Sequence, residues 1–229
     1  MAGILIENEH ETARKNMLLG QLIPNRIHDA CMLKAMGSVA RELFLPDHLK
    51  SRAYADESIC IDAHTVMFSP RILANLLLLA NLKDSDFVLD VKAATGYSAA
   101  VMADMAQAVV ALESDAGMCE TAQQILIDSE IDNVAVLSGN PDQGFPSQAP
   151  FDVIFIEGVI SQIPETLLAQ MAENGRLVCV IAKNAETTGK ATKVIKNNGS
   201  LSYITAFDLD LSGFARFPFY KNFVFESVS

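Results

Sequence analysis

The chain has 229 residues, half of them apolar, and a formal net charge of −11. This length suffices for one large α/β domain with its own core. The acidic balance argues against a surface that follows nucleic-acid phosphates. The longest apolar run, 76–80, is far shorter than the roughly 20 residues that cross a bilayer. The sequence therefore predicts a protein that binds neither nucleic acid nor membrane.

Cysteine spacing and the start of the chain bear on location and metal binding. The first residues show no basic segment followed by an apolar one, so we expect a cytoplasmic protein. The cysteines form no C-x-x-C pair, which fits reduced thiols better than a disulfide framework or a zinc site. We expect no bound metal. The four cysteines are Cys31, Cys60, Cys119 and Cys179.

The first third of the chain is predicted to be helical. Apolar residues recur at helical spacing over 27–36. Ser69 followed by Pro70 indicates the start of a second helix, because serine caps free amides and proline suits the first helical position. This helix is expected to end near Asn81.

From residue 87 onward, short apolar runs alternate with helical stretches, which predicts βαβ units and a mostly parallel sheet. Two β-prone segments near the end, 201–207 and 217–225, leave no room for a helix between them, so we expect antiparallel edge strands. Such a sheet, with helices on both faces, is the Rossmann-like arrangement of Class I methyltransferases. The predicted strands are 87–91, 109–113, 133–137, 152–156 and 176–181, the predicted helices are 97–106, 116–129, 163–172 and 186–197, and Asn198-Gly199 predicts a turn.

The turn after strand 87–91 is the most informative local feature. In a doubly wound fold this turn brings backbone against a ligand, and glycines are used there because a Cβ would occupy the ligand's space. Here only Gly96 is a glycine, while Lys92 and Ala94 hold two of the other places.

Three segments carry a resemblance to a known family. Residues 29–46 read D-x-x-M-L-x-A-M-x-x-V-x-R-E-x-F-x-P, residues 53–56 read A-Y-x-D, and residues 88–97 read V-L-D-V-x-x-x-T-G-Y. Together they resemble the protein-L-isoaspartate O-methyltransferase family, and its pattern runs without a gap from Ala53 to about Val178. The remaining landmarks are 111–113, 133–134, Gly139, 149–154, 163–164 and 175–178.

The resemblance implies S-adenosyl-L-methionine as the cofactor. It places Glu113 where a carboxylate accepts from both ribose hydroxyls and Asn140 where the family's acid meets the adenine amino group. Glu157 stands near the methyl-transfer centre, where the family usually has a small or hydroxylated residue. The cofactor-binding residues implied in this way are Asp90, Gly96, Tyr97, Glu113, Asn140 and Glu157.

The ungapped spacing also locates the family's acceptor motif T-I-S-Q-P on 66–70, with Phe68 in place of the functional serine. Phe68 has no hydroxyl with which to hold a substrate carboxylate. A register shifted by one residue, using Thr65 and Ser69, is the alternative and needs an insertion. No residue is assigned as catalytic with this pattern. The remaining candidates are Ser69, Asp56 and His64, the last as a titrating group.

Two hypotheses about function stay open at this point. The first is an enzyme that transfers a methyl group from S-adenosylmethionine to a carboxylate of isoaspartyl residues in damaged proteins or peptides, or, as a variant, to another acceptor. The second is a catalytically inactive relative that acts as a binding or assembly module. In either case we expect a helical extension with the acceptor loop over 1–80 and a methyltransferase-like α/β domain over 81–229, forming one compact unit.

Overall fold

A computed structural model describes residues 2–62, 65–183 and 188–211 of the protein. In these ranges, two short strands form a separate antiparallel hairpin and seven strands form the central sheet. In chain order the strands are β1 (Ile59–Cys60), β2 (Val66–Met67), β3 (Phe87–Val91), β4 (Ala108–Glu113), β5 (Val134–Ser138), β6 (Phe151–Ile160), β7 (Met171–Ile181), β8 (Thr188–Asn197) and β9 (Ser200–Asp210).

The central sheet has the order β5-β4-β3-β6-β7-β8-β9. Neighbouring strands from β5 to β7 are parallel, whereas β8 is antiparallel to both β7 and β9. The predicted arrangement, a five-stranded parallel core followed by antiparallel strands, is thereby confirmed, although β9 pairs with β8, which lies in a segment predicted to be helical. The chain crosses from β5 back to β6 beside β3, so the carboxyl ends of β3 and β6 are neighbours.

Helices cover both faces of the sheet. Residues alternate along β3, so that Val88 belongs to one apolar cluster and Leu89 to a second one on the opposite face. Such burial on both sides is typical of parallel sheets. The helices are α1 (Ala2–Met17), α2 (Ala30–Ser38), α3 (Pro70–Ala80), α4 (Tyr97–Ala103), α5 (Ala116–Asp128) and α6 (Glu165–Ala169), with shorter 3-10 or π turns at 18–22, 23–25, 41–44, 47–52 and 146–148.

Two helix starts show why the sequence folds as it does locally. The Asp29 side chain accepts the backbone N–H of Met32 at 2.8 Å and caps α2. The helix begins at Ala30, three residues later than the apolar spacing over 27–36 indicated. Ser69 accepts the N–H of Ile72 at 3.3 Å, so α3 starts at Pro70 as predicted. Caps of this kind satisfy amides that have no partner within the helix.

The predicted helix over 186–197 is wrong. Residues 188–197 form strand β8, in which Gly189, Ala191 and Val194 face the core. Lysines and alanine suit a helix by local propensity, but pairing with β7 on one side and β9 on the other decides the conformation here. The predicted helix 163–172 is confirmed only over 165–169, because β7 begins at Met171. The predicted strand 217–225 lies outside the described residues.

Candidate functional site

The turn between β3 and α4 lies at the carboxyl edge of the parallel strands. Lys92, Ala94 and Gly96 have φ angles of 63°, 50° and 89°, so two side-chain-bearing residues adopt the left-handed conformation that favours glycine. Backbone N–H groups of Lys92 and Ala93 donate to the carbonyl of Leu112 at 2.8 and 3.2 Å. The backbone thus keeps the path of a glycine-rich turn although only Gly96 is glycine.

Glu113, the last residue of β4, holds this turn from the neighbouring strand. Its Oε2 accepts the N–H of Ala94 at 3.0 Å, and its Oε1 accepts from Ser114 N, Ser114 Oγ and Asp115 N at 2.6, 3.0 and 3.1 Å. A carboxylate has about four acceptor positions. Most of them are already used, and the remaining capacity for a ligand hydroxyl lies at Oε2.

Asp90, Ser98 and Glu157 meet on the opposite side of the turn. Ser98 Oγ lies 2.6 Å from Asp90 Oδ2, and the Glu157 carboxylate faces the same hydroxyl. Burial raises the pKa of Glu157 to about 7, although Ser98, Arg41 and Lys92 oppose the shift. Burial, followed by the charges of Glu157 and Glu113, also raises the pKa of the fully buried Asp90. The site therefore contains a carboxyl pair that resists carrying two negative charges.

The sequence did not point to one further acid of the site, Asp142. The Asn140 side chain accepts the N–H of Asp142 at 2.9 Å and shapes the turn after β5. Asp142 is buried, and burial raises its pKa to about 6 in spite of the opposing charge of Lys92. The available signal was the Asn-Pro-Asp sequence after a strand, because an asparagine that accepts an N–H two residues on forms a tight turn.

Two small cavities bounded by described residues adjoin the turn. Phe68, Ala94, Tyr97, Ser98 and Glu157 line one of them, which therefore brings together the predicted acceptor position and two predicted cofactor-binding residues, Tyr97 and Glu157. The other cavity is lined by Lys92, Pro141, Asp142, Ile156 and neighbouring apolar residues. Each has about 10 Å³ of free space, room for about one water molecule.

The acceptor segment is tied down by a buried arginine. Arg41 donates to the carbonyls of Ala53 and Phe68 at 2.7 and 2.5 Å, and its guanidinium lies 4.7 Å from the centre of the Tyr97 ring. Tyr97 also packs edge-on against Phe44. Phe68 is 1% exposed, so the residue predicted to stand at the serine position is part of the core and also lines the cavity beside Glu157.

The other catalytic candidates lie elsewhere. The hydroxyl of Ser69 caps α3, and its N–H donates to Ser58 Oγ at 3.0 Å. Asp56 forms an ion pair with Arg71 near the surface, at 3.3 Å. His64 lies outside the described residues. Within the described ranges, no group of three or more histidine, cysteine or acidic side chains is arranged to hold a metal ion. In those same ranges, no helix is both long and apolar enough to span a membrane.

The sheet order, the turn after β3 and the acid that ends β4 define a Class I methyltransferase. Residues 13–208 match the family described as protein-L-isoaspartate(D-aspartate) O-methyltransferase. The chain therefore belongs to the protein-L-isoaspartate O-methyltransferase family.

Individual relatives agree with this assignment. The protein-L-isoaspartate O-methyltransferase of Methylorubrum populi is 39% identical over 168 residues, which cover 73% of this chain and 79% of that protein. The enzyme of the same name from a Synechococcus species is 36% identical over 176 residues, covering 77% of this chain and 72% of its own.

Solved structures with the same fold bear these names as well. A protein-L-isoaspartate O-methyltransferase superposes with a TM-score of 0.76 at 25% identity, covering 86% of this chain and 64% of that one. A putative family member from Plasmodium falciparum, solved with S-adenosyl-L-homocysteine, gives a TM-score of 0.72 at 23% identity and covers 87% of this chain and 95% of its own. Family membership indicates S-adenosylmethionine as the cofactor.

Two buried oxygens test whether this cofactor suits the residues present. Asp90 Oδ1 and Asp142 Oδ1 have no hydrogen-bond partner among the described residues, and they belong to acids beside the two cavities. Buried acceptors without a donor are costly. S-adenosylmethionine brings an ammonium, a sulfonium and an amino group on adenine, so its donors and positive charge suit acids at these positions. The residues therefore fit the cofactor electrostatically.

The conformational cost of the turn can be measured with a matched pair of alanine variants. Ala94→Gly and Ala93→Gly remove the same methyl group one residue apart, but only Ala94 has a positive φ. We expect Ala93→Gly to cost about 1–2 kcal/mol in free energy of unfolding. Ala94→Gly is expected to stay within about 0.5 kcal/mol of the wild type, because relief of the left-handed conformation offsets the loss. Urea denaturation measures both, and equal losses would contradict strain at Ala94.

The same turn provides a ligand-binding prediction. The double variant Lys92→Gly/Ala94→Gly removes one side chain of the turn from the lining of each cavity. It is expected to bind S-adenosylmethionine more tightly, since glycines let a ligand approach backbone. Isothermal titration calorimetry measures this change, and unchanged or weaker binding would show that the two side chains do not obstruct the cofactor.

Proposed function

We propose that this protein is an S-adenosylmethionine-dependent methyltransferase that esterifies the carboxylate of isoaspartyl residues in damaged proteins and peptides. The observation that carries the proposal is the pair of buried acids, Asp90 and Asp142, each with an oxygen that has no partner in the described part of the chain. They flank a turn with the backbone path of the family's cofactor loop. When bound, S-adenosylmethionine supplies an electrophilic methyl group.

The residues of this chain would hold and orient the reactants. Glu113 Oε2 retains acceptor capacity for a ribose hydroxyl, and Asp142 Oδ1 can accept from the adenine amino group. Asp90 and Glu157 supply negative charge on the side of the cavity that Phe68 also lines. A substrate carboxylate is already ionised at neutral pH. The protein therefore needs no general base and contributes mainly proximity and alignment.

Calorimetry and a methylation assay test this proposal in sequence. Isothermal titration with S-adenosylmethionine is expected to show binding at sub-millimolar concentration. Transfer of labelled methyl is then measured to an isoaspartyl peptide and to the same peptide with a normal aspartyl residue. Methylation of the isoaspartyl peptide alone supports the proposal, whereas absence of binding would refute it. Binding followed by methylation of neither peptide, or of both, would point to another acceptor.

The role of Phe68 is tested by two variants that leave the same cavity. Phe68→Ala and Phe68→Ser each lose the buried ring, at a cost of about 3–5 kcal/mol in free energy of unfolding. Only the serine restores a hydroxyl that can hold a substrate carboxylate. Per folded molecule, we expect Phe68→Ser to methylate the isoaspartyl peptide about tenfold faster than Phe68→Ala. Equal rates would refute the assignment of Phe68 to the serine position.

A binding or assembly module without methyl transfer is the second candidate function. It is favoured by Phe68 in the core and by two adjoining cavities of about 10 Å³ each, far below the ~300–1,000 Å³ of typical ligand pockets. The calorimetric experiment separates the two candidates, because the module requires no cofactor binding.

The remaining features of the proposal concern location and partners. We place the protein in the cytoplasm, where the thiols of Cys31 and Cys60, exposed and free in this structure, would stay reduced. The net charge of −11 argues against a nucleic-acid partner, and family membership supports isoaspartyl proteins or peptides as substrates.

A further inference from the structure

The hydroxyl of Ser98 lies between two carboxyl groups from different strands. Asp90 comes from β3 and Glu157 from β6, where the register pairs Asp90 with Phe155 and Glu157 follows two residues further along the neighbouring strand. Ser98, on the first turn of α4, is 3% exposed and lies 2.6 Å from Asp90 Oδ2. The carboxyl group of Glu157 faces the same oxygen.

Hydrogen bonds can join Ser98 to both Asp90 and Glu157 only if one of the two carboxyl groups is protonated. A serine hydroxyl has a single hydrogen, and an ionised carboxylate has none. Ser98 can therefore donate to Asp90 or to Glu157, but not to both. If both acids were ionised, one would point lone pairs at the serine oxygen, at a place where Asp90 is fully buried and Glu157 is partly exposed. With one added proton, a carboxyl donates to Ser98 Oγ while Ser98 donates to the other acid.

The charges around Asp90 and Glu157 do not remove the need for this additional proton. Arg41 faces the site from the 41–44 turn and Lys92 from the β3–α4 turn, and both favour the ionised form of Glu157. Glu113, from β4, acts in the opposite sense on Asp90. Arg41 Nε and Nη2 donate to the carbonyls of Ala53 and Phe68, whereas its buried Nη1 has no hydrogen-bond partner among the described residues. Burial remains the largest influence on both acids.

We propose that Asp90 and Glu157 share one proton through Ser98 in the ligand-free protein and that a cationic ligand in the adjoining cavity expels this proton. The site thereby binds the sulfonium cofactor in preference to its neutral thioether product. The second half of this inference rests on the proposed function. The expelled proton passes to the solvent. Once the methyl group has left, no positive charge compensates Glu157, which takes a proton again and favours product release.

The pH dependence follows from the raised pKa of Glu157. Its folded-state pKa of about 7 means that the proton is present below that pH and absent above it. Ligand binding favours the ionised form, so affinity for S-adenosylmethionine is expected to fall about tenfold per pH unit below 7 and to level off above it. S-adenosylhomocysteine has no sulfonium and should show a much flatter profile.

Calorimetry in buffers of different ionisation enthalpy measures the protons released on binding. At pH values below the pKa, we expect S-adenosylmethionine to release close to one proton and S-adenosylhomocysteine close to none. Glu157→Gln should abolish the release and reduce the preference for S-adenosylmethionine about tenfold or more. Glu120→Gln, which removes an exposed charge on α5, is the matched control and should behave like the wild type. Release that is equal for both ligands would overturn the selection mechanism.

Infrared spectroscopy of the ligand-free protein tests the shared proton without any cofactor. A carbonyl band of a protonated carboxyl should be present at pH 6, disappear as the pH rises through about 7, and be altered in Glu157→Gln. Should Glu157→Gln not fold, Ser98→Ala removes the bridge and should shift the same titration. No titrating band would refute the shared proton even if cofactor binds. A titrating band that Glu157→Gln alters, found without any cofactor binding, would refute the proposed function and leave the shared proton standing. A band that Glu157→Gln leaves unchanged would belong to another acid, such as Asp142, whose pKa is raised to about 6, and would refute the shared proton.

Discussion

Replacing Arg176 with methionine is expected to lower the free energy of unfolding by about 3–5 kcal/mol. Arg176 is buried on β7, donates to the carbonyls of Ala80 and Asn81 at 2.6 and 2.5 Å, and forms a two-pronged ion pair with Asp86. Methionine fills a similar volume but leaves the Asp86 charge buried without its partner. It also leaves the carbonyls at the end of α3 without donors. Urea denaturation of the purified variant measures the loss.

An exposed ion pair provides the control for this prediction. Lys190 and Asp208 lie 3.2 Å apart on neighbouring strands and are more than half exposed. Asp208→Asn should therefore cost less than about 1 kcal/mol. Adding Asp86→Asn to Arg176→Met removes the stranded charge and should recover part of the loss. An effect of Arg176→Met no greater than that of Asp208→Asn would show that the buried pair does not stabilise the junction between α3 and the sheet.

Glu113→Gln is expected to loosen the cofactor turn, at a cost of about 2–3 kcal/mol in free energy of unfolding. The amide keeps one oxygen for the donors of Ser114 and Asp115, but its NH2 group then faces the N–H of Ala94. Two donors cannot bond to each other, so Ala94 loses its partner. The variant also loses the acceptor proposed for the ribose. We expect S-adenosylmethionine affinity, measured by calorimetry, to fall about 10- to 100-fold.

Ser114→Ala separates this effect from a general loss of hydrogen bonds to Glu113. The alanine removes only the Ser114 Oγ donor, at 3.0 Å from Oε1, and leaves the bond to Ala94 intact. We expect a cost of about 1 kcal/mol or less and cofactor affinity within a few-fold of the wild type. If Glu113→Gln were as mild as Ser114→Ala, Glu113 would not be holding the turn.

Local signals account for the parts of the fold that were predicted correctly. Short apolar runs located the five parallel strands to within a few residues, and Ser69-Pro70 located the start of α3, because these signals depend on residues adjacent in sequence. The helix predicted over 186–197 failed for the complementary reason. Its residues are strand-forming only because β7 and β9 pair with them, and such pairing is invisible to local propensity.

For the candidate site, too, the sequence predicted some features and missed others. The family resemblance, followed along its ungapped spacing, pointed to the turn at 92–96 and the acid Glu113, and it predicts Phe68 at the serine position. It did not reveal Asp142, because an acid after a strand differs from a surface acid only by what packs over it. Nor did it show that most of the acceptor capacity of Glu113 is used by the backbone.

The sequence by itself determined the family, the order of the five parallel strands along the chain and the turn in which Lys92 and Ala94 replace glycines, since each of these is encoded in contiguous residues and their spacing. Only the tertiary structure decided that Asp90 and Glu157 meet at one serine hydroxyl. The two acids are far apart along the chain and become neighbours when β6 inserts beside β3. Burial there, which no sequence pattern specifies, raises the pKa of both carboxyl groups.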